Sequence, residues 1–419
     1  MNDSPVFVVC NARSGSTLLR YLLDSHPDIS CPPEMHISSA ATTVMWLHVR
    51  AVGGNPDHVN RREGGVDEKI IDDGAAAARR MVDEMMSEHL KRQGKSIWCS
   101  KELNTVNFVR SVRRIFPDAR YLCLHRHAMD VIASALEQSR WGFPRYGFES
   151  YVSPHVDNFV AGIADYWIRR TEHILALERS SPANTHRVHY ERLAKDPGAE
   201  VEAIFDFLEV CHDSELVHKV VEGALQETHE HGPADPKIGY KSAIDDRSIE
   251  RGRSIPANLI SSRQREEMNT LLTALGYPQV SDEWNVSSDL GPAVDRSLLS
   301  LTAGTISQVD ELVHGLVARR LATYAGAPVA PFLLALTHGD GDRHCWLVDG
   351  TTRTLAPADR AAPSGHLEMS MRAEVFRALL VGGMTWHDAI AMKMVRFSER
   401  DHDERHPALR HLAGWLFQA

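Results

Sequence analysis

The fold is decided by residues 6–19, which read VFVVCNARSGSTLL. The run Val6–Cys10 is apolar and rich in β-branched residues, which is typical of a buried parallel strand. The leucines at 18, 19, 22 and 23 then recur on one face of a helix. Between strand and helix lies a Gly/Ser/Thr loop whose backbone N–H groups converge on the helix N-terminus, where an anion binds well. The stretch predicts a P-loop-type α/β fold, a parallel sheet flanked by helices, with an anion site after its first strand.

The loop lacks the lysine of a Walker A sequence, because neither Ser16 nor Thr17 follows one. This disfavours a P-loop kinase. Arg13 at the entrance of the loop supplies the positive charge, and its planar guanidinium suits a bidentate contact with an oxyanion. An ordinary strand-to-helix turn with a Ser/Thr cap is the alternative interpretation of the same residues.

Two later segments favour the anion site. Residues 98–102, WCSKE, end a short run and precede a predicted helix. Residues 119–126, ARYLCLHR, predict a second buried strand that ends at Arg126, and the helix after it carries Ser134 two turns in. A basic residue, Lys101 or Arg126, thus stands where each of these runs ends.

Together these motifs resemble the sulfotransferases that use 3′-phosphoadenosine 5′-phosphosulfate (PAPS). The resemblance rests on RSGSTLL at 13–19, Glu34 downstream of it, KE at 101–102, and FPDARYLCLHR at 116–126 with Ser134. Their order and spacing are most similar to the tyrosylprotein-sulfotransferase branch and its bacterial relatives. VHYERL at 188–193, followed by DP at 196–197, adds a fourth element, and the resemblance covers residues 5–278.

The resemblance implies roles for individual residues. It makes Glu34 the general base that takes the proton of the acceptor hydroxyl, and it makes Lys101 the group that steadies the bridging oxygen of the leaving phosphate. The implied catalytic residues are Glu34, Lys101 and Arg13. The implied PAPS-binding residues are Arg13, Ser14, Gly15, Ser16, Thr17, Arg126, Ser134, Tyr190 and Lys237. Because a sulfuryl group carries less charge than a phosphoryl group, such donors suffice and no metal is expected.

Two assignments stay open. Glu34 is otherwise an ordinary surface or helix N-terminal residue, and the alternative base is His36, His125 or His127, as in the cytosolic small-molecule sulfotransferases. The basic loop over residues 232–256 either closes over the phosphates or is a solvated face.

The pattern changes in the last third of the chain. Residues 279–296 predict a linker between a sulfotransferase domain at 1–278 and a smaller domain at 297–419. The strand-like runs of the smaller domain are 332–337, 344–348 and 366–371. Their order, with WLVDG at 346–350 and two short helices after them, resembles the α+β fold of the sterol-carrier proteins.

Composition limits the classes of function. The 419 residues exceed what one hydrophobic core usually serves, which agrees with two domains. A formal net charge of −10 argues against a nucleic-acid partner. The chain opens without a signal-peptide pattern and has no apolar run of membrane-spanning length, so we expect a cytoplasmic protein that does not span a membrane. Six scattered cysteines without a C-x-x-C pair predict reduced, mostly buried thiols. The oligomeric state is open.

The predicted function is transfer of the sulfuryl group of PAPS to a hydroxyl of a small-molecule or natural-product acceptor. A phenol is favoured over an alcohol, because its pKa of about 10 lies closer to that of a Glu base. The aromatic segment at 141–155 is either a wall of the acceptor site or an ordinary loop, and a sterol-carrier-like domain would suit a hydrophobic acceptor. The alternative is a non-catalytic carrier protein that binds an apolar ligand through its C-terminal domain.

Overall fold

The computed structural model places the chain in two compact units. The described residues are 4–52, 68–137, 147–155, 158–226, 243–284, 313–337, 342–358, 367–380, 386–391 and 394–397, with Leu412 and Leu416. The first unit comprises Met1–Val131, Trp167–Glu250 and Thr270–Pro278, and the second comprises Ile132–Tyr166, Arg251–Asn269 and Gln279–Ala419.

Five parallel strands form the sheet of the first unit. They are β1 (Val6–Cys10), β2 (Ile29–Ser30), β3 (Ile97–Lys101), β4 (Arg120–His125) and β5 (Thr185–His189), in the order β2-β3-β1-β4-β5. The first predicted strand is the central one, with β3 and β4 on either side. All five of its residues are buried, as a strand covered on both faces requires. The predicted α/β class is confirmed.

Two apolar clusters cover the two faces of this sheet. The helices up to residue 274 are α1 (Ser16–Asp24), α2 (Ile37–Ala51), α3 (Glu68–Gln93), α4 (Thr105–Ile115), α5 (Ala128–Glu137), α6 (Glu149–Val152), α7 (Phe159–Ser180), α8 (Tyr190–Lys195), α9 (Pro197–Leu208), α10 (Ser214–Gly223) and α11 (Ser262–Ala274). Val6 and Val8 share one cluster with Leu19 of α1, whereas Phe7 and Val9 belong to the other. Alternate residues of β1 therefore serve opposite faces, the period-two pattern of a strand.

The carboxyl ends of three neighbouring strands meet at one edge of the sheet. β1 lies between β3 and β4 and is parallel to both. Lys101 ends β3, residues 11–15 follow β1, and Arg126 follows β4. In open α/β sheets, ligands bind beyond the carboxyl ends of the strands, so the fold gathers the predicted site residues where a site is expected.

A second, mixed sheet lies in the C-terminal part of the second unit. Its strands are β6 (Phe332–Thr337), β7 (Arg343–Asp349), β8 (Thr354–Ala358), β9 (Leu367–Arg372) and β10 (Val395–Phe397), in the order β10-β9-β6-β7-β8. β6 and β9 are parallel, and the other neighbours are antiparallel. Helices Ala373–Leu380 and Trp386–Ala391 lie between β9 and β10. This confirms the predicted smaller α+β part; its two edge strands, β8 and β10, were not predicted.

The first residues of the predicted linker are packed. Val280 and Trp284 are buried, and the indole N–H of Trp284 donates to the carbonyl of Gly252 at 3.0 Å. The guanidinium carbon of Arg253 lies 3.9 Å from the centroid of the Trp284 ring. Residues 285–296, and residues 141–146 of the predicted acceptor wall, lie outside the described residues.

Two expectations from composition concern membrane-spanning helices and the state of the cysteines. Within the part of the chain that the structure describes, no helix has both the length and the apolarity needed to cross a membrane. The cysteines are free thiols, of which five are buried and Cys211 is exposed, as the scattered spacing predicted.

Candidate active site

The loop after β1, residues 11–15, is a tight turn with two left-handed residues; we call it the β1 loop. Arg13 has a φ of 66° and Gly15 a φ of 91°. A Cβ atom at Gly15 would lie 2.2 Å from Cδ2 of Tyr190, so any side chain there would collide with the ring. The shape of the loop therefore depends on glycine at 15 and on the tyrosine packed against it.

The β1 loop and the start of α1 offer donors that suit an anion. Ser14 is fully buried, and its hydroxyl has no hydrogen-bond partner among the described residues. α1 begins directly after Gly15. Because Gly15 is the N-cap residue and has no side chain, no side chain caps the helix N-terminus. Ser16 and Thr17 are buried in its first turn, and the Ser16 hydroxyl bonds to the Cys10 thiol. A buried hydroxyl in need of a partner beside an uncapped helix N-terminus fits an oxyanion such as a phosphate or sulfate.

The predicted base and the predicted lysine form an ion pair. The ammonium of Lys101 donates to Oε1 of Glu34 at 2.6 Å. The side chain of Lys101 is 3% exposed and that of Glu34 is 12% exposed. Lys101 is paired with Val8 across β3 and β1, and both Lys101 and Glu34 lie close enough to Cys10, the residue before the β1 loop, to influence the pKa of its thiol. The fold thus brings together two groups that are 67 residues apart in the chain.

Glu102 holds the segment that carries Glu34, a contact that was not predicted from the sequence. Its carboxylate accepts hydrogen bonds from the backbone N–H groups of Ile37 and Ser38, the latter at 3.2 Å, and from the hydroxyl of Ser100 at 3.0 Å. Glu102 is 1% exposed. In the sequence, Glu102 stands out only as the second residue of the KE motif. The resemblance assigned a role to the lysine of that motif and none to the glutamate.

Arg126 connects three segments of the first unit. One guanidinium nitrogen donates to the carbonyl of Arg13 at 2.9 Å, and the other donates to the carbonyl of Ser248. The guanidinium carbon lies 4.4 Å from the centroid of the Tyr190 ring. The Nε–H group is buried without a hydrogen-bond partner among the described residues, so this donor could bind a ligand.

The remaining predicted PAPS-binding residues fall in different places. Tyr190 begins α8 and packs between the β1 loop and Arg126. Ser134 is buried on α5, a helix that begins at Ala128, two residues after Arg126. Lys237 lies outside the described residues.

Two polar contacts from α7 support the β1 loop. The buried guanidinium of Arg170 donates to the carbonyls of Cys10, at 3.4 Å, and Leu103. The side-chain amide of Asn11 donates to the hydroxyl of Thr171 at 3.0 Å. Neither contact was predicted from the sequence, since an Arg-Thr pair inside a helical segment gives no sign of what it binds.

Two arginines in the described part of the basic loop make specific side-chain contacts, whereas Arg247 is exposed. Arg251 forms an ion pair with the carboxylate of Glu137. Arg253 stacks on Trp284 and donates to its carbonyl at 3.4 Å. These contacts differ from those of a freely solvated face, one of the two interpretations of residues 232–256.

Two of the three alternative bases are occupied in other ways. Nε2 of His125 lies 2.8 Å from Oε1 of Glu178, and burial lowers the pKa of His125. Nε2 of His127 lies 3.0 Å from the carbonyl of Pro278, and its Nδ1 accepts the N–H of Met129. His36 is exposed at the start of α2. This arrangement favours Glu34 over His125 and His127.

Comparison with known proteins now identifies the family. The profile of the Sulfotransferase family matches residues 5–214, half of the chain. The chain belongs to the sulfotransferase family. It is therefore an enzyme, a sulfotransferase that depends on PAPS, and the predicted resemblance is confirmed. Among the described residues, no group of three or more His, Cys, Asp or Glu side chains is arranged for a metal ion.

Two relatives illustrate the branches to which this sulfotransferase is similar. A Caenorhabditis briggsae protein, named among the protein-tyrosine sulfotransferases, is 27% identical over 213 residues, which are 51% of this chain and 68% of the relative. Nodulation protein NoeE of Sinorhizobium fredii is 27% identical over 305 residues, which are 66% of this chain and 67% of the relative. The expected similarity to the tyrosine branch and to bacterial proteins is confirmed.

A solved structure is similar to a smaller share of the chain. Sterol carrier protein 2 like 2 from Aedes aegypti matches 26% of this sulfotransferase and 97% of its own chain, with 19% sequence identity and a TM-score of 0.22.

Proposed function

We propose that this sulfotransferase transfers the sulfuryl group of PAPS to the hydroxyl of a small-molecule acceptor, with Glu34 as the general base. The observation that carries the proposal is the 2.6 Å contact between Lys101 and Glu34 beside the β1 loop. A buried cation, a carboxylate and an anion loop are the groups that sulfuryl transfer needs within one site.

The β1 loop and Arg126 are the proposed donor site. Arg13, Ser14 and Gly15, with Ser16 and Thr17 of α1, hold the 5′-phosphosulfate. The unpartnered hydroxyl of Ser14 supports this assignment. Arg126, Ser134, Tyr190 and Lys237 complete the site around the 3′-phosphate and the nucleoside. The free Nε of Arg126 supports its part, because a buried guanidinium donor suits a phosphate oxygen.

The proposed chemistry is an in-line displacement at sulfur. The acceptor oxygen forms a bond to sulfur, while the bond between sulfur and the bridging oxygen of PAPS breaks and 3′,5′-adenosine bisphosphate leaves. Glu34 takes the proton of the acceptor hydroxyl. Lys101 stabilises the negative charge that develops on the bridging oxygen, and Arg13 holds the phosphosulfate in line. No step needs a metal ion in this proposal.

The acceptor is a phenol or an alcohol, and its site is proposed to lie in front of Glu34. The similarity to a protein named as a protein-tyrosine sulfotransferase favours a phenol. Met35, 39% exposed and next to Glu34, offers an apolar contact to a hydrophobic acceptor. In this proposal, residues 1–278 carry the transfer, 279–296 link the domains, and 297–419 form the smaller sterol-carrier-like domain.

Two measurements test the proposal. In a thermal-shift assay, 3′,5′-adenosine bisphosphate should raise the melting temperature because a ligand of the folded state stabilises it, and ATP with magnesium should not. Incubation with radiolabelled PAPS and a panel of phenols and aliphatic alcohols should transfer label to a phenol. The proposal would be contradicted if ATP with magnesium stabilised the protein and 3′,5′-adenosine bisphosphate did not. Transfer of label only to groups other than hydroxyls would also contradict it.

A further inference from the structure

The neighbouring residues Lys101 and Glu102 hold the two ends of one short segment, residues 34–38. Lys101 binds the side chain of Glu34, and Glu102 binds the backbone N–H groups of Ile37 and Ser38. We propose that Glu102 is a positioning residue for Glu34. This inference rests on the proposed function, because it takes Glu34 as the base.

The start of α2 depends on Glu102 because its own sequence provides no cap. His36, the residue before the helix, has a φ of 58° and makes no side-chain capping bond. The first N–H groups of a helix need an acceptor, and a carboxylate at that end also interacts favourably with the helix dipole. Glu102, which directly follows β3, supplies both the acceptor and the negative charge. It therefore fixes the residue at which α2 begins.

The position of α2 is transmitted to Glu34 through two residues. Only Met35 and His36 separate Glu34 from the helix, and His36 is in the left-handed conformation. A second tie reinforces the arrangement, since the hydroxyl of Ser38 lies 3.0 Å from that of Thr105 at the start of α4. A shift of the α2 N-terminus would therefore move the carboxylate of Glu34 relative to Lys101.

Glu102 is set for this task by its surroundings. It is 1% exposed, and it accepts hydrogen bonds from three neutral donors among the described residues, two backbone N–H groups and the hydroxyl of Ser100. Glu34 instead forms an ion pair with the ammonium of Lys101. The two carboxylates are thus engaged differently, one with backbone and hydroxyl donors and one with the catalytic cation.

The test compares Glu102→Gln with a matched control in the full-length enzyme. Glutamine keeps the shape of the side chain but replaces one of its two acceptor oxygens with an NH2 group, which cannot accept from a backbone N–H. The control is Asp213→Asn, because Asp213 also caps a helix, α10, by accepting the N–H of Leu216 at 2.8 Å. The measured quantities are kcat, the KM for PAPS, the affinity for 3′,5′-adenosine bisphosphate and the melting temperature.

We expect kcat of Glu102→Gln to fall by roughly 10- to 100-fold, since misplacing a reacting group by about 1 Å costs up to that much, while nucleotide affinity changes by less than about threefold. The control should keep wild-type kcat, and its melting temperature should change little because asparagine caps a helix about as well as aspartate. A folded Glu102→Gln enzyme with wild-type kcat, or one that loses nucleotide affinity and kcat by the same factor, would overturn the inference.

Two further variants keep the result interpretable. Glu34→Gln measured in parallel separates the two proposals: if it retains wild-type kcat, the base assignment fails, whatever Glu102→Gln does. If Glu102→Gln does not fold, Ser100→Ala removes a single donor to Glu102 and should lower kcat by a few fold. Wild-type kcat in folded Ser100→Ala would then count against the inference.

Discussion

The guanidinium of Arg126 donates a hydrogen bond to the backbone carbonyl of Arg13 at 2.9 Å. The family resemblance places Arg126 at the 3′-phosphate, whereas this bond also joins it to the β1 loop, the proposed site of the 5′-phosphosulfate. The same guanidinium lies over the ring of Tyr190, which packs against Gly15. We therefore expect that the residues that bind the 3′-phosphate of PAPS and those that bind its 5′-phosphosulfate are in direct contact with each other.

Arg126→Ala should therefore weaken binding of two nucleotides to different extents. We expect a loss of tenfold or more for 3′,5′-adenosine bisphosphate, since charge-assisted hydrogen bonds contribute about 1.5–3 kcal/mol each. Adenosine 5′-phosphosulfate, which lacks the 3′-phosphate, should lose less but still measurably, because the β1 loop loses its tie. Titration calorimetry with both ligands measures this difference. Unchanged binding of adenosine 5′-phosphosulfate would show that the bond to Arg13 does not support the loop.

Gly15→Ala tests whether the collision with Tyr190 controls the anion loop. The new methyl group would lie 2.2 Å from the ring and should lower the affinity for 3′,5′-adenosine bisphosphate by at least tenfold. Gly94→Ala is the matched control, because Gly94 also has a positive φ, 67°, but has no atom within 4 Å of the added carbon. Both variants carry the cost of a left-handed alanine, about 1–2 kcal/mol of stability. Equal nucleotide affinity in the two variants would contradict the role of the collision.

Much of this arrangement follows from the sequence, and the missing parts have a common cause. The apolar runs predicted β1 and β4 because such runs are local features, whereas the roles of Glu34 and Lys101 were predicted from the family resemblance. The contact of Glu102 with Ile37 spans 65 residues, and that of Arg170 with Cys10 spans 160. Such roles depend on which backbone groups the folded chain brings next to the side chain. A local sequence pattern holds no information about these distant neighbours.

Short edge strands escaped prediction for a related reason. β2 has two residues, Ile29–Ser30, inside a segment whose two prolines argue against a strand. It exists because it extends β3 at the edge of a sheet that is already formed. Tertiary pairing, rather than propensity, decides such elements.

Lys101→Met should lower kcat strongly and should also destabilise the fold, because it leaves the largely buried carboxylate of Glu34 without its partner. Methionine fills the volume of the side chain but cannot stabilise charge on the leaving oxygen, so we expect a loss of roughly 10²-fold or more. It also leaves Glu34 without the ammonium that it binds. Lys91→Met, on the exposed face of α3, is the control and should keep wild-type kcat. Comparable kcat in both variants would remove Lys101 from the chemistry.

Stability should fall as the pH is lowered through the histidine range. Burial lowers the pKa of His125, and it lowers that of His189 to about 4. The unfolded chain takes up these protons near the ordinary value of 6.5, before the folded chain does, so the free energy of unfolding decreases from pH 6.5 toward pH 4. Urea titrations at pH 7 and pH 5 measure the decrease, which His189→Gln should reduce. His218→Gln, with a side chain that is 72% exposed on α10, should leave it unchanged. Equal stability of the wild type at both pH values would contradict this prediction.

The central claim, that Glu34 deprotonates the acceptor, is tested most directly by the turnover of Glu34→Gln with radiolabelled PAPS. A base acts on the acceptor proton rather than on the donor, so we predict that kcat falls by roughly 10²- to 10⁴-fold while the affinity for 3′,5′-adenosine bisphosphate changes by less than about threefold. Glu88→Gln, at an exposed position of α3, should behave as the wild type. A Glu34→Gln enzyme with kcat within about fivefold of the wild type would contradict the assignment of Glu34 as the base.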